Sequence, residues 1–179
     1  DLLDGPVLAR EANAITTGVA IGSRRLYQTL AQDPRVRFAP VSMTHDLRTL
    51  ADLPRFCAIN SVIEVDLFGQ ANAEFIDSRQ VSGAGGLVDF LRGARYSEGG
   101  LAITALLATA KAGAVSRIVP RLSPDAVTIA RADMGLVVTE HGVADLRTAD
   151  IDARARSLIA IAAPAHRAGL EAAWDEMRS

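Results

Sequence analysis

Short β-branched stretches alternate with segments of helical periodicity along this chain, and this alternation constrains the fold more than any other feature. Residues 15–22, ITTGVAIG, predict a strand that ends in a turn, and Ser23 can cap a helix after it. Residues 36–41 predict a second strand, and Thr44 or Asp46 can cap the next short helix. Strands and helices in alternation favour an α/β fold with an open, mostly parallel sheet and flanking helices.

Four later segments continue this pattern. Residues 56–67, FCAINSVIEVDL, begin as an apolar run and then alternate, as a strand emerging from a buried sheet does. Residues 86–94 can form a short helix, and residues 101–109 predict another buried strand, although periodicity alone also allows a helix there. Residues 126–139 predict two strands about a tight turn near residues 132–135.

The end of the chain is predicted to be helical. Asp150 can cap one helix, and Pro164 at a first-turn position begins another with Leu170 and Trp174 on its apolar side. No internal repeat, low-complexity tract or linker divides the sequence. A single domain spanning residues 1–179 is therefore predicted.

The composition argues against membrane and nucleic-acid partners. Hydrophobic residues make up 49% of the chain, but the apolar runs fall far short of the roughly 20 residues that a membrane-spanning helix needs. The 19 basic and 21 acidic residues leave a net charge of -2, and no basic run or aromatic platform indicates nucleic-acid binding. We expect neither partner.

The single cysteine, Cys57, excludes an internal disulfide and a multi-cysteine zinc site. It lies in an apolar run, so it is predicted to be a small buried hydrophobic residue. No signal peptide opens the sequence, and a reducing cytoplasm is the expected location.

Residues 82–86, SGAGG, form the densest glycine cluster in the sequence. A Walker loop would need Gly-Lys-Ser/Thr at its end, and the dinucleotide fingerprint would need a glycine at Val88, so neither motif is present. What remains is a row of backbone N–H groups at a predicted helix start, which can stabilise an anion or a developing oxyanion. A tight structural turn is the alternative, and composition alone favours it.

A mostly apolar stretch, residues 58–70, carries several polar side chains: Asn60, Ser61, Glu64, Asp66 and Gln70. Buried polar groups must find partners, so these residues predict either an internal hydrogen-bond network or the lining of a cleft. The sequence favours the network.

The three histidines, His45, His141 and His166, do not indicate a metal site. No pair has the His-x-x-x-His spacing, and no carboxylate stands at ligand spacing to two of them. No G-x-S-x-G motif supports a serine hydrolase.

Four blocks, taken in order, resemble one enzyme family. They are AINSVIEVDLFGQANAE, SGAGGLVDFLRGARYSEGG, SRIVPRLSPDAVTIARADMGLVVTEHGVADLR and RARSLIAIAAPAHRAGL. Together they resemble the carboxy-terminal domain of the acetyl-CoA hydrolase/transferase family, which includes acetate, succinyl-CoA and 4-hydroxybutyrate CoA-transferases. The resemblance extends from about residue 15 to the end.

The resemblance implies two open α/β domains like those of ribose-phosphate isomerases, with the active site between them. It implies ping-pong transfer of CoA from an acyl-CoA to a small carboxylate, through a glutamyl-CoA thioester, or hydrolysis when water intercepts the intermediate. The nucleophilic glutamate would lie upstream of Asp1, so neither Glu64 nor Glu140 occupies its place. Residues 1–179 are then expected to be the carboxy-terminal domain alone, with the amino-terminal domain absent and a homodimer as the assembly.

The resemblance also implies roles for particular residues. Gly86 matches the position whose backbone N–H supports the oxyanion, and Val62 and Ser82 match positions that line the CoA site. His45 stands where some relatives carry an asparagine that gives the second oxyanion hydrogen bond. Glu98 stands where relatives carry a lysine that contacts CoA, and its negative charge there would weaken that contact. CoA enters as the acyl-CoA substrate, and no metal is implied.

Two other interpretations stay open at this stage. The chain can be a catalytically silent CoA-binding or oligomerisation domain, because the implied nucleophile lies outside it. An NAD-type dehydrogenase domain is favoured only by the predicted fold class.

Overall fold

The computed structural model describes residues 15–123 and 127–179, and their fold is α/β. Residues 1–14 and 124–126 of the predicted domain lie outside this description. The strands are β1 (Ile15–Thr17), β2 (Val36–Phe38), β3 (Cys57–Ser61), β4 (Glu64–Asp66), β5 (Ala71–Asn72), β6 (Phe75–Ile76), β7 (Arg79–Gln80), β8 (Leu101–Ala105), β9 (Thr109–Ala110), β10 (Val115–Ser116), β11 (Ile118–Val119), β12 (Leu136–Thr139) and β13 (Gly142–Asp145).

The helices are α1 (Arg24–Gln32), α2 (Val41–Thr44), α3 (Leu47–Ala51), α4 (Leu87–Tyr96), α5 (Ile151–Ala160) and α6 (Pro164–Arg178). Three of them begin at side-chain caps. Ser23 accepts a hydrogen bond from the first turn of α1, Asp46 from that of α3, and Asp150 from that of α5. These caps satisfy N–H groups that have no partner inside the helix. The predicted Ser23 and Asp150 caps are confirmed, and Asp46 rather than Thr44 caps α3.

The largest sheet has the strand order β13-β12-β8-β3. Strands β3, β8 and β12 are parallel, and β13 returns antiparallel to β12 through a two-residue connection. Helix α4 packs on β3 and β8, α3 packs on α4, and α5 packs on β13 and α6. At the α3–α4 contact, Leu50 lies so close to Gly93 that a side chain there would collide with it.

The remaining strands form small separate sheets. Strands β1 and β2 pair in parallel, β4 joins β11 in parallel and β5 antiparallel, and β6–β7 and β9–β10 are hairpins. The α/β class is confirmed. Three of the four strands of the largest sheet are parallel, but the other described strands form separate small sheets, so a single open, mostly parallel sheet is not confirmed. The strands outside the largest sheet are only two or three residues long, too short to extend a common sheet.

Two segments fold differently from their predictions. Residues 56–67 form two strands in different sheets, because the Val62 N–H donates to Ala105 on β8 whereas the Ile63 N–H donates to Asn72 on β5. Residues 127–139 contain one strand, β12, which makes its hairpin with β13 instead. Residue 126, the first of the predicted pair, lies outside the described residues.

One face of the largest sheet is covered and the other is open. Alternate residues of the parallel strands, including Ala58, Thr104 and Val137, are buried in the core. The residues between them face the other way, and there Ile59 on β3 is 69% exposed and Val143 on β13 is 60% exposed. Cys57 is exposed on this same face, so the prediction that it is buried was wrong. Alternation within a strand decides burial here, not membership in an apolar run.

Candidate functional site

The glycine-rich loop, residues 82–86, connects the β6–β7 hairpin to α4. The backbone N–H groups of Ser82 and of Val81, which precedes the loop, donate to the carbonyl oxygen of Glu74, at 3.2 and 2.7 Å. Gly85 has a φ of 53°, a left-handed conformation that favours glycine. Gly86 precedes α4 directly with a φ of −92°. Backbone conformation therefore explains the glycine at position 85 but not the one at position 86.

Gly86 is in close contact with His45. A Cβ atom on Gly86 would overlap Cδ2 and Nε2 of the histidine ring. The ring also stands edge-on to Phe90, one turn into α4, with the ring centroids 4.9 Å apart. The missing side chain at position 86 therefore allows the imidazole to lie directly against the start of the helix.

A neighbouring hydroxyl holds the half-buried His45 ring. Nδ1 lies 2.9 Å from Thr44 Oγ1, at the C-terminal end of α2. When this hydroxyl donates to Nδ1, the ring hydrogen is on Nε2, the atom beside Gly86. Nε2–H is then a donor close to Gly86, at the N-terminus of α4.

A second donor lies at the same place. Within residues 15–123 and 127–179, no hydrogen-bond partner is found for the backbone N–H of Gly86. The N-terminus of a ten-residue helix adds a partial positive charge. The arrangement is suited to holding a negative charge next to His45 and Gly86, the two residues for which the family resemblance implies contacts with an oxyanion.

The other predicted site residues divide into two groups. Val62 directly follows β3, is buried, and donates its N–H to Ala105 at the end of β8. Ser82 is exposed at the entry of the glycine-rich loop, and its hydroxyl donates to Gly83. Ser82 lies in the same loop as Gly86, whereas Val62 lies at the end of β3. The contacts of both residues with CoA stay predictions.

Glu98 does not lie with this group. It follows the opposite end of α4, where its backbone carbonyl accepts a hydrogen bond from the Arg55 N–H. A helix of ten residues is about 15 Å long, so roughly that distance separates Glu98 from Gly86. The structure does not bring its carboxylate together with His45 and Gly86, and its place in the CoA site stays a prediction.

Two polar residues of the 58–70 stretch, Asp66 and Gln70, belong to an internal network. Asp66 is fully buried, and its carboxylate accepts hydrogen bonds from the backbone N–H groups of Phe68, Gln70 and Leu122 and from the Gln70 amide. Such donors compensate the cost of burying the charge. The network interpretation is confirmed for Asp66 and Gln70.

Glu64 and Glu140 are occupied with neighbouring groups. The Asn72 amide donates to Glu64 at 3.3 Å. The Ala108 N–H donates to Glu140 at 2.8 Å and is the main cause that holds the pKa of Glu140 below its ordinary value.

In the described part of the chain, no group of three or more histidine, cysteine, aspartate or glutamate side chains is arranged to hold a metal ion. None of the described helices has the length and apolar character required to cross a bilayer.

A model of the acetyl-CoA hydrolase/transferase C-terminal domain matches residues 22–174. The chain belongs to this family. The resemblance seen in the four sequence blocks is thereby confirmed. The glycine-rich loop, His45 and α4 all lie within the matched range of the acetyl-CoA hydrolase/transferase domain.

Curated relatives in this family are named as CoA-transferases. The chain is 42% identical over 151 residues to the 4-hydroxybutyrate coenzyme A transferase of Clostridium kluyveri. This match covers 84% of this chain and 35% of the relative. It is 41% identical over 159 residues to the succinyl-CoA:cyclohexane-1-carboxylate CoA transferase of Geobacter metallireducens, covering 88% of this chain and 36% of the relative. The chain therefore spans about a third of the length of these relatives.

Solved structures show the same fold. RipA from Yersinia pestis is 35% identical and superposes with a TM-score of 0.85, over 91% of this chain and 37% of that one. The 4-hydroxybutyrate CoA-transferase from Porphyromonas gingivalis is 39% identical, with a TM-score of 0.71 over 91% of this chain and 36% of that one. Both place the acetyl-CoA hydrolase/transferase fold on nearly the whole chain.

Sequence reasoning missed the residues that hold His45 in place. Phe90 stands one helical turn after Gly86, a spacing that puts both on one side of α4, so it was available as a signal. Thr44 was considered only as a helix cap. Its bond to the next side chain depends on the rotamers of both residues, which the sequence does not reveal.

Proposed function

We propose that this chain forms the oxyanion-stabilising and CoA-binding wall of a CoA-transferase or acyl-CoA hydrolase. Such an enzyme moves CoA between an acyl-CoA and a small carboxylate. The observation that carries the proposal is the contact of His45 with Gly86 at the N-terminus of α4. The names of the Clostridium and Geobacter relatives support the substrate class.

The proposed chemistry begins with a glutamate supplied by an amino-terminal domain. Its carboxylate oxygen attacks the thioester carbonyl carbon, and the carbonyl oxygen becomes an oxyanion. Collapse of this intermediate breaks the C–S bond, releases CoA thiolate and leaves an acyl-glutamyl anhydride. The thiolate then attacks the glutamyl carbonyl, which releases the first carboxylate and leaves a glutamyl-CoA thioester. A second carboxylate reverses these steps, or water hydrolyses the thioester.

Gly86 and His45 act on the oxyanion in this scheme. The Gly86 N–H and the His45 Nε2–H donate hydrogen bonds that strengthen as negative charge develops on the oxygen. Thr44 supports this role because its hydroxyl, as a donor to Nδ1, places the hydrogen on Nε2. The asparagine implied for some relatives at this position would donate through its amide, so histidine replaces one donor by another.

The His45 side chain provides the direct test of this proposal. In the full-length protein, His45→Phe keeps a flat ring against Phe90 but removes the donor, and His45→Asn keeps a donor. We expect the phenylalanine variant to lower kcat for acyl-CoA exchange by about 10² to 10³, as loss of one oxyanion donor typically does. The asparagine variant should retain most of the activity. Equal activity in wild type and His45→Phe would contradict the role of His45.

We also propose that the amino-terminal domain covers the open face of the largest sheet. Sheets built from parallel strands are almost always covered on both faces, yet here Ile59 and Val143 are exposed on one of them. The relatives contain about twice as many further residues as the chain matches, which is ample material for a covering layer.

A catalytically silent CoA-binding or oligomerisation domain is the second candidate, favoured by the same open apolar face. Incubating the 179-residue chain with acetyl-CoA and acetate separates the two candidates. Release of free CoA above the background rate would refute the silent domain. No release from this chain, with release from the full-length protein, would support the divided active site.

A further inference from the structure

A cavity of about 350 Å³ lies where strands β8 and β12 begin, beside the last turn of α4. Buried Ala102, Met134 and Leu146 form part of its wall. Four arginines also line it: Arg95, Arg131, Arg147 and Arg154. The volume is in the range of small-molecule sites, so the cavity can admit an anionic group together with the organic part that carries it.

The positive charges of this cavity exceed the negative ones. Asp133 is occupied by Arg92, with two hydrogen bonds of 2.9 Å, and Arg147 is paired with Asp145 at 2.6 Å. Among residues 15–123 and 127–179, no carboxylate lies within ion-pair distance of Arg95, Arg131 or Arg154. Arg95, Arg131 and Arg154 therefore all line this cavity, and none of them has a carboxylate partner among the described residues.

Backbone groups hold these side chains in place. Arg154 donates to the carbonyl oxygens of Arg131 and Leu146 at 3.1 and 3.0 Å, and Arg95 donates to that of Ala132. Arg131 lies over the Phe68 ring, 5.6 Å from its centroid. Each guanidinium has five N–H donors, so several remain for a ligand. Fixed donors lose little freedom on binding, which favours affinity.

Two of the guanidiniums repel each other. Burial lowers the pKa of Arg154, and the nearby charge of Arg131 lowers it further. An anion between the two side chains would offset this repulsion. The repulsion between Arg131 and Arg154 therefore favours an anion in the cavity, as the surplus of arginines over carboxylates does.

We infer that this cavity binds the phosphate group of a small molecule. A phosphate dianion neutralises more of the three unpaired positive charges than a monocarboxylate does. A guanidinium group can also donate two parallel hydrogen bonds to phosphate oxygens. The inference does not depend on the proposed transferase chemistry, because the cavity lies at the end of α4 away from Gly86.

Calorimetric titration of the chain with inorganic phosphate and with pyrophosphate, at constant ionic strength, tests this site. We expect saturable binding of one ion per chain. Arg131→Gln should weaken it by about tenfold or more, the usual effect of losing a charged hydrogen bond. Arg154→Gln should weaken binding to the same extent. That variant also loses two hydrogen bonds to backbone carbonyl oxygens, and if it does not fold for that reason, Arg131→Gln still tests the site.

Arg156→Gln is the matched control. Arg156 lies on α5 two residues after Arg154, is exposed and does not line the cavity, so its loss should leave the affinity unchanged. The inference is overturned by the absence of saturable binding, by an Arg131→Gln variant that binds like wild type, or by equal weakening in Arg156→Gln. Acetate that binds as tightly as phosphate would also overturn it.

Competition with CoA identifies the source of the phosphate. If CoA displaces pyrophosphate from the wild-type chain but not when its own phosphates are removed, the site holds a phosphate of CoA. If CoA does not compete, the site serves another phosphorylated metabolite. Either result supports a phosphate site, and the two results differ only in the molecule that carries the phosphate.

Discussion

Two neighbouring glycines of the loop are required for different reasons. Gly85 has positive φ, a property of its own backbone, whereas Gly86 is required because His45 occupies the space of a side chain. The first requirement can be read from a dense glycine cluster. The second depends on a residue 41 positions earlier in the chain, and neither composition nor periodicity indicates it.

A substitution at Gly86 measures that contact. In Gly86→Ala the new methyl group forces the imidazole to rotate away, which breaks its hydrogen bond to Thr44 and its edge contact with Phe90. Those losses together are worth about 1–2.5 kcal/mol. Urea denaturation should show a free energy of unfolding lower by that amount.

Gly83→Ala is the control from the same loop, since no atom lies within 4 Å of a Cβ built there. It should leave stability nearly unchanged. Equal stability of the two variants would show that His45 is not held against Gly86 in solution.

At the scale of helices and strands, the caps were predictable and the sheet partners were not. Ser23, Asp46 and Asp150 cap helices through contacts within three residues, so the local sequence contains the whole signal. Two features depend on groups distant in the sequence: the change of sheet after Val62, and the absence of the predicted strand pair in residues 127–139. Arg92, Arg95 and Arg154 all bind the segment before β12, at Asp133, Ala132 and Arg131. No local pattern reveals such contacts.

Helix α3 has a pH-dependent start. Asp46 precedes it, directly after His45, and the Thr49 backbone N–H and then its hydroxyl lower the pKa of Asp46. A carboxyl group whose pKa is lower in the folded state stabilises the fold above its unfolded pKa, and this contribution is lost as the pH falls through the folded value. We therefore expect the start of α3 to weaken below about pH 4.

The variant Asp46→Asn isolates this effect, because asparagine also caps helices but carries no charge. The difference in unfolding free energy between wild type and Asp46→Asn should be constant near neutral pH and shrink as the pH falls below about 4. Asp46→Ala should be less stable than Asp46→Asn at every pH. A difference that grows on acidification would contradict the assigned cap.

At the scale of the whole molecule, the main feature of this chain is the open face of its largest sheet, where Ile59 and Val143 are exposed. The α/β class and family were accessible from the sequence because they depend on alternation and on long ordered blocks. The open face was not, because it depends on which alternate residues find a covering layer, and Cys57 was misjudged for that reason.

Cys57 makes this face measurable, since it is the single cysteine of the sequence and shares the face with exposed Ile59. In the 179-residue chain its thiol should react readily with a thiol reagent. In the protein expressed from the complete reading frame, the proposed amino-terminal domain should cover it and slow labelling by about tenfold or more.

Cys57→Ser combined with Ser179→Cys is the control, because Ser179 is exposed and directly follows α6, outside the strands of the largest sheet. Its labelling rate should be the same in both forms. If the longer protein labels Cys57 as fast as the chain alone, the amino-terminal domain does not cover the sheet. If labelling of the chain alone slows as its concentration rises, a second copy covers the face instead, since self-association depends on concentration.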